Sequence, residues 1–81
     1  MDNLTIEAEA KDLIAAGASS DQIDEMESAL RFCVEGMSFV NGAWSISPPV
    51  ARVLRDTPPG DALPRFLRGI EVLETARRLV A

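Results

Sequence analysis

Apolar residues between Ser19 and Met37 recur at steps of three and four positions, which is the repeat of one face of an α-helix. Ser19 and Gln22 have the spacing of a capping box at the start of this helix. Gly36 stands where a left-handed residue commonly ends a helix in a Schellman motif. The pattern predicts an amphipathic helix around which the rest of the chain is arranged. Its apolar face consists of Ile23, Met26, Leu30, Cys33, Val34 and Met37.

A shorter helical pattern precedes this segment, over residues 3–16. Gly17 ends it, because a glycine after the last periodic residue is a common helix stop. The link to the central helix is about two to four residues long, so we expect the two helices to form an antiparallel or sharply crossed pair. The apolar side of the first helix is formed by Ile6, Ala10, Leu13 and Ile14.

Residues 37–46, MSFVNGAWSI, change the repeat from that of a helix to that of a strand. Asn41-Gly42 at their centre indicates a type I′ hairpin turn, because both central residues of that turn need positive φ. The competing interpretation is an irregular loop. A two-residue turn at this point pairs Val40 with Ala43, Phe39 with Trp44, Ser38 with Ser45 and Met37 with Ile46. The four large apolar residues then share one face, which we expect to pack on the helices with Trp44 largely buried.

Two further helices follow the hairpin. Ser47-Pro48 is typical of a helix start, and the short helix that it begins is expected to end near Asp56. Val50, Val53 and Leu54 form its expected buried side. After a stiff turn at residues 57–60, Asp61 is expected to cap a last helix that runs to about Leu79, with Pro64 in its first turn.

The last helix has more apolar surface than one face can hold. Its main stripe is formed by Leu63, Phe66, Leu67, Ile70, Leu73 and Val80. A second stripe lies on nearly the opposite side, where a domain of this size has little left to cover it. We therefore expect a homodimer that forms through residues 68–80. The residues predicted to make the self-association contact are Arg68, Val72, Ala76 and Leu79.

These elements predict a mainly α fold in a single domain over residues 1–81. The expected architecture is a small bundle of about four helices, with one short β-hairpin at residues 37–46 between helices 2 and 3. One cysteine excludes an internal disulfide framework. The N-terminus is acidic, and no apolar run is long enough for a signal peptide or a bilayer span. We therefore expect a cytoplasmic protein.

Charge is divided unevenly along the chain, whose net charge is −5. Residues 1–36 carry nine acidic and two basic residues, whereas residues 37–81 carry four acidic and six basic residues. This division suggests either complementarity within one chain or head-to-tail docking of two copies. The alternative is that both halves simply present solvated charges.

The residues from which most active sites are built are scarce. The chain has no histidine and no tyrosine, so the commonest general base and the commonest transition-metal ligand are missing. Cys33 lies on the apolar face of the central helix, where a thiol acts as a small hydrophobic residue. No glycine-rich phosphate loop and no calcium-loop spacing occurs. The sequence predicts a protein that is not an enzyme, with no cofactor and no metal site.

The leading hypothesis is a small interaction protein that acts by binding another protein. Inhibitors encoded by phages or mobile elements, secretion chaperones and small regulatory adaptors share this profile. The alternative is a dimeric DNA-binding transcriptional regulator that uses its C-terminal arginines, although the acidic central helix argues against direct nucleic-acid binding. That same acidic face is also compatible with imitation of nucleic acid. The residues predicted to bind the partner are Asp21, Asp24, Glu25 and Glu27.

Overall fold

The structure, a computed structural model, describes residues 3–80 of the chain. It confirms the mainly α fold, with a two-stranded antiparallel hairpin between the second and third helices. No helix in the described range is long and apolar enough to cross a membrane. The elements in chain order are α1 (Asn3–Ala15), α2 (Ser20–Glu35), β1 (Met37–Val40), β2 (Ala43–Ile46), α3 (Pro48–Leu54) and α4 (Pro59–Val80).

The element around which the others are arranged is α4, and the expectation that α2 has this role is wrong. The long helix α4 packs along both α1 and α2, whereas α1 and α2 approach each other far less. Contacts of α2 with α4 run from Asp24 beside Arg77 to Leu30 beside Gly69, so the two helices are antiparallel. The α1–α2 link is short as predicted, but α4 is the packing partner of both helices. The domain is elongated, with principal extents of 40 × 26 × 20 Å.

A Schellman motif ends α1 at Gly17. The sequence predicts such a motif at Gly36, at the C-terminal end of α2. Gly17 has φ +92°, and its N–H donates to the carbonyl of Ile14 at 3.0 Å. The N–H of Ala18 donates to the carbonyl of Leu13 at 3.2 Å, which completes the motif. Gly17 therefore ends α1, as predicted, by adopting a left-handed conformation.

The capping box at the start of α2 is confirmed. The N–H of Gln22 donates to Ser19 Oγ at 3.2 Å, and Ser19 N–H donates to Gln22 Oε1 at 2.9 Å. The prediction for the other end of α2 is wrong, because Gly36 has φ −80°. Gly36 is required for space instead, since a Cβ there would lie 2.5 Å from Val50 Cγ2 and 2.6 Å from Ser47 Oγ.

We expect Gly36→Ala to destabilise the protein by about 2 kcal/mol, a typical cost of overpacking a core. Val50 is fully buried in the second core cluster, so a shift away from the added methyl group would disturb the packing around it. Gly60→Ala is the matched control, because Gly60 lies in the first turn of α4 with open space around it. That substitution is expected to stabilise by about 0.5 kcal/mol. Urea unfolding followed by circular dichroism measures both, and equal midpoints for the two variants would contradict the close approach at Gly36.

The hairpin has the register predicted from the sequence at all four residue pairs. Asn41 and Gly42 both have positive φ, of 53° and 77°, as a type I′ turn requires. Its expected packing is only partly confirmed. Met37 is buried and Trp44 is partly buried, but the Phe39 side chain is 61% exposed and touches Trp44 edge-on, with 5.1 Å between ring centroids. The outer half of the hairpin therefore extends beyond the helices.

Several predictions about α3 and α4 need correction. Val50 and Leu54 are buried, but Val53 is exposed, because a seven-residue helix presents only one narrow side to the core. The helix α4 begins at Pro59 rather than at Asp61, since the Pro58 carbonyl accepts the first hydrogen bonds, from Asp61 and Ala62. Asp61 is then inside the first turn, where its charge favours the helix dipole. Pro64 consequently lies in the second turn rather than the first.

The buried residues form two clusters along α4. The first lies between the C-terminal half of α4, α1 and the N-terminal half of α2. The second joins the N-terminal half of α4 to the end of α2, the hairpin and α3, and it contains Cys33. Burial of the Cys33 thiol confirms its prediction as a core residue. The members of the first cluster are Ile6, Ala10, Ile23, Val72, Leu73 and Ala76.

Candidate functional site

An open apolar groove runs between α1 and α2 over α4, and we call it the α1–α2 groove. It exists because both helices pack on α4 while staying apart from each other. Its volume is about 540 Å³. Apolar and small side chains dominate its lining, which is typical of a binding cleft in a soluble protein. The lining residues are Leu13, Met26, Ala29, Leu30, Gly69, Val72 and Leu73, together with the charged residues Glu9, Arg65 and Arg68.

The side chain of Leu30, on the α2 wall of the groove, packs directly over Gly69 of α4. A Cβ at this position would lie 2.8 Å from Leu30 Cδ1. Glycine in the middle of a helix costs about 1 kcal/mol relative to alanine, so a packing reason is expected wherever it occurs. The pattern of apolar residues does not indicate this contact, but the glycine does. A glycine eight residues after Asp61, the predicted cap of the helix, indicates where another helix comes near.

The groove and a neighbouring depression are lined by charges of both signs. Arg68 forms an ion pair with Glu9, so these two charges neutralise each other at the rim. Arg65 has no ion pair within residues 3–80. A second depression of about 410 Å³ near the α1–α2 turn shares Leu13 and Met26 with the groove and is lined by Glu25. Glu25 also has no ion pair in the described range, so the joined depressions have one free acid and one free base.

Glu27 does not belong to an exposed acidic face, and that expectation is wrong. Its side chain is buried, with 4% of the residue exposed. Arg31 Nε donates to Glu27 Oε2 at 2.8 Å, and this hydrogen bond raises the pKa of Arg31. Arg77 Nη2 lies 2.9 Å from Glu27 Oε1 as an ionic contact, although that oxygen accepts no hydrogen bond. Two arginines therefore compensate the buried carboxylate.

The other three acidic residues predicted to bind a partner lie on the surface of α2. Asp24 forms an ion pair with Arg77, so its charge is already compensated within the chain. Asp21 and Glu25 are exposed. Arg68 and Arg77 both pair with acids of the N-terminal half, which supports complementarity within one chain. Their positive charge is correspondingly less available to nucleic acid.

Two of the four residues predicted for self-association are buried within the chain. Val72 is 8% and Ala76 is 0% exposed, because both belong to the buried cluster that α4 forms with α1 and with Ile23 of α2. The expectation that the fold of the chain leaves these two residues uncovered is therefore wrong. Arg68 is engaged by Glu9 of the same chain, and Leu79 alone of the four is an exposed apolar residue, at 46%. Self-association itself stays a prediction.

Within the described part of the chain, no group of three or more acidic or cysteine side chains is arranged to hold a metal ion. Comparisons with protein-family models, with curated proteins and with solved structures gave no match. The function is therefore inferred from the residues of this chain alone. The most distinctive feature of the described surface is the α1–α2 groove.

Proposed function

We propose that the protein is a non-enzymatic interaction module of the cytoplasm that binds another protein, as an inhibitor, adaptor or chaperone does. The α1–α2 groove is the observation that supports this proposal. Clefts with a mainly apolar lining and a few polar or charged groups at their edge are a common form of binding site. Helix-lined apolar grooves are a recurring form of protein-binding site.

Some residues that line the groove belong to the buried core, and others are exposed to a partner. Val72 and Leu73 belong to the buried core and provide a rigid floor. Met26 and Ala29 are exposed on the wall that α2 provides. A partner that covers these two side chains gains apolar burial without rearrangement of the core, at about 25 cal/mol for each Å² removed from water.

Capture from the native host with Ala29→Lys tests the proposal. The substitution places a charged side chain in the groove, and a lysine four residues after Glu25 suits the helix. Ala8→Lys is the matched control, because Ala8 is an exposed alanine of α1 outside the groove lining and is followed four residues later by Asp12. We expect one dominant protein to be retained by the wild type and by Ala8→Lys, and lost by Ala29→Lys.

Three outcomes would contradict this proposal. Equal capture by all three proteins would place the binding surface outside the groove, and absence of any captured protein would remove its basis. Salt-sensitive retention of DNA would favour the dimeric regulator instead. Sedimentation of the purified wild type and of Ala29→Lys is performed first. It shows whether a second copy of this chain fills the groove.

A further inference from the structure

We infer that Asn41 is a site of spontaneous covalent modification, at which the folded protein slowly acquires an isoaspartate. Asn41 and Gly42 form the turn of the β-hairpin, and both are exposed. A Cβ at Gly42 would meet open space, so nothing shields the backbone nitrogen of this glycine from the Asn41 side chain. No hydrogen bond restrains the Asn41 side-chain amide within residues 3–80. This site lies outside the α1–α2 groove and does not depend on the proposed function.

The reaction joins the backbone to the side chain of the preceding residue. The backbone nitrogen of Gly42 attacks Cγ of Asn41, and the new C–N bond closes a cyclic succinimide. The side-chain nitrogen leaves as ammonia and takes the proton that Gly42 N carried. Water, the second reactant, then breaks one of the two ring C–N bonds. Cleavage at Cγ gives aspartate, and cleavage at the backbone carbonyl carbon gives isoaspartate, with no oxidation or reduction in either case.

The native turn holds the two reacting atoms apart. Asn41 has φ 53° and Gly42 has φ 77°, the type I′ conformation, in which ψ of the first central residue is about +30°. At this angle Gly42 N lies on the opposite side of the Cα–C bond from Cβ of Asn41, so it does not reach Cγ. The ring closes only after rotation about ψ of Asn41, and that rotation opens the pairing of Val40 with Ala43.

Opening of the hairpin tip does not require unfolding of the domain. The sheet has two strands, and an isolated two-stranded hairpin is marginally stable in water. Phe39 and Val40 are 61% and 56% exposed, so the outer half of the hairpin adds little to the core, whereas Met37 at its base is buried. Segments with few buried contacts open at a small fraction of the free energy of global unfolding. We therefore expect Asn41 to react from a locally opened hairpin in the native protein.

Isoaspartate removes the turn, whereas aspartate retains it. In isoaspartate the main chain runs through Cβ and Cγ of residue 41, so an extra backbone atom separates the strands and a two-residue type I′ turn no longer fits. Asp-Gly, by contrast, is a preferred pair for this turn. The edge-on contact of Phe39 with Trp44 depends on the register that the turn sets. Formation of isoaspartate is therefore expected to separate these two rings.

Incubation of the full chain at neutral pH, followed by peptide mapping with chromatography and mass spectrometry, tests the inference. The rate at Asn41 in the native protein is expected to be about tenfold to hundredfold below the rate in the urea-unfolded chain, which corresponds to a local opening. Urea below the unfolding transition is expected to leave the native rate nearly unchanged, because the tip exposes little new surface when it opens. Asn3, the other asparagine of the chain, precedes leucine and is the internal control. It is expected to react far more slowly in the unfolded chain, because the leucine side chain shields the backbone nitrogen.

Two variants separate the modification from its consequence. Asn41→Gly retains a residue that adopts positive φ readily and has no side chain to close the ring, so it is expected to acquire no isoaspartate. Asn41→Asp has the charge of the product on a normal backbone. Freshly purified Asn41→Asp is expected to keep the contact of Phe39 with Trp44, measured by nuclear Overhauser effects between the rings. The isoaspartate form of the wild type, separated by chromatography, is expected to lose that contact.

Each part of the inference has an outcome that overturns it. Absence of isoaspartate at position 41 of the native protein overturns the site. A native rate more than about a thousandfold below the unfolded rate, or one that rises steeply with urea, means that Asn41 reacts from the globally unfolded chain and overturns the local opening. An isoaspartate form that keeps the contact of Phe39 with Trp44 overturns the loss of the turn.

Discussion

Ala76→Arg is expected to leave the protein without a cooperative folding transition. Ala76 is fully buried in the cluster that joins α4 to Ile6 and Ala10 of α1 and to Ile23 of α2. An arginine there either displaces α1 or buries a guanidinium among apolar side chains. The expected loss is about 5 kcal/mol, which is comparable to the whole free energy of unfolding of a small domain.

Urea titration followed by far-ultraviolet circular dichroism measures this loss. Leu79→Arg is the matched control, because Leu79 lies one turn later on α4 and is half exposed. It is expected to unfold within about 0.5 kcal/mol of the wild type, as most surface substitutions do. A folded Ala76→Arg protein with the wild-type midpoint would place Ala76 on the surface and restore the self-association surface predicted from the sequence.

Arg77→Glu is expected to destabilise the protein by about 3 kcal/mol, because it leaves a buried charge poorly compensated. Arg77 contacts the buried Glu27 and the exposed Asp24. Its reversal brings a third carboxylate to these two and leaves Arg31 as the cation that compensates Glu27. The estimate is at the low end of the usual range, since the Arg77 side chain is 49% exposed and water reaches it.

Two further variants isolate the buried charge as the cause. Arg78→Glu changes the net charge by the same amount. Because Arg78 has no ion pair in the described range, this substitution is expected to destabilise the protein by less than about 0.5 kcal/mol. Adding Glu27→Met to Arg77→Glu is expected to recover most of the loss, because the buried carboxylate is then gone and the volume is retained. An equal loss with and without Glu27 would show that Arg77 acts through its packing instead.

Much of the local structure of this protein could be predicted, because it depends on neighbours in the chain. The hairpin register follows from Asn41-Gly42 and from alternation over four residues on each side. The capping box needs only Ser19 and Gln22. Gly36 is an exception, because its neighbours in the chain do not determine its role. Its role depends on Val50, which the hairpin brings back against the end of α2.

Glu27 shows why the candidate site was harder to predict than the fold. It follows Ile23 by four residues and precedes Leu30 by three, so its position on the buried face was visible in the spacing. A carboxylate is expected in water unless a cation accompanies it into the core. The cation is Arg77, fifty residues away in the sequence. Only the packing of α4 on α2 brings the two together.

The sequence by itself determined the helices, their main stops and the hairpin with its register, because short-range hydrogen bonds, turn geometry and periodicity decide them. Only the tertiary structure decided which side of α4 is covered. The apolar stripe through Val72 and Ala76 is compatible with a second copy or with α1, and α1 packs on it. The α1–α2 groove is open because α1 and α2 both pack on α4 and stay apart from each other. The sequence periodicity of one helix does not specify the distance between two other helices.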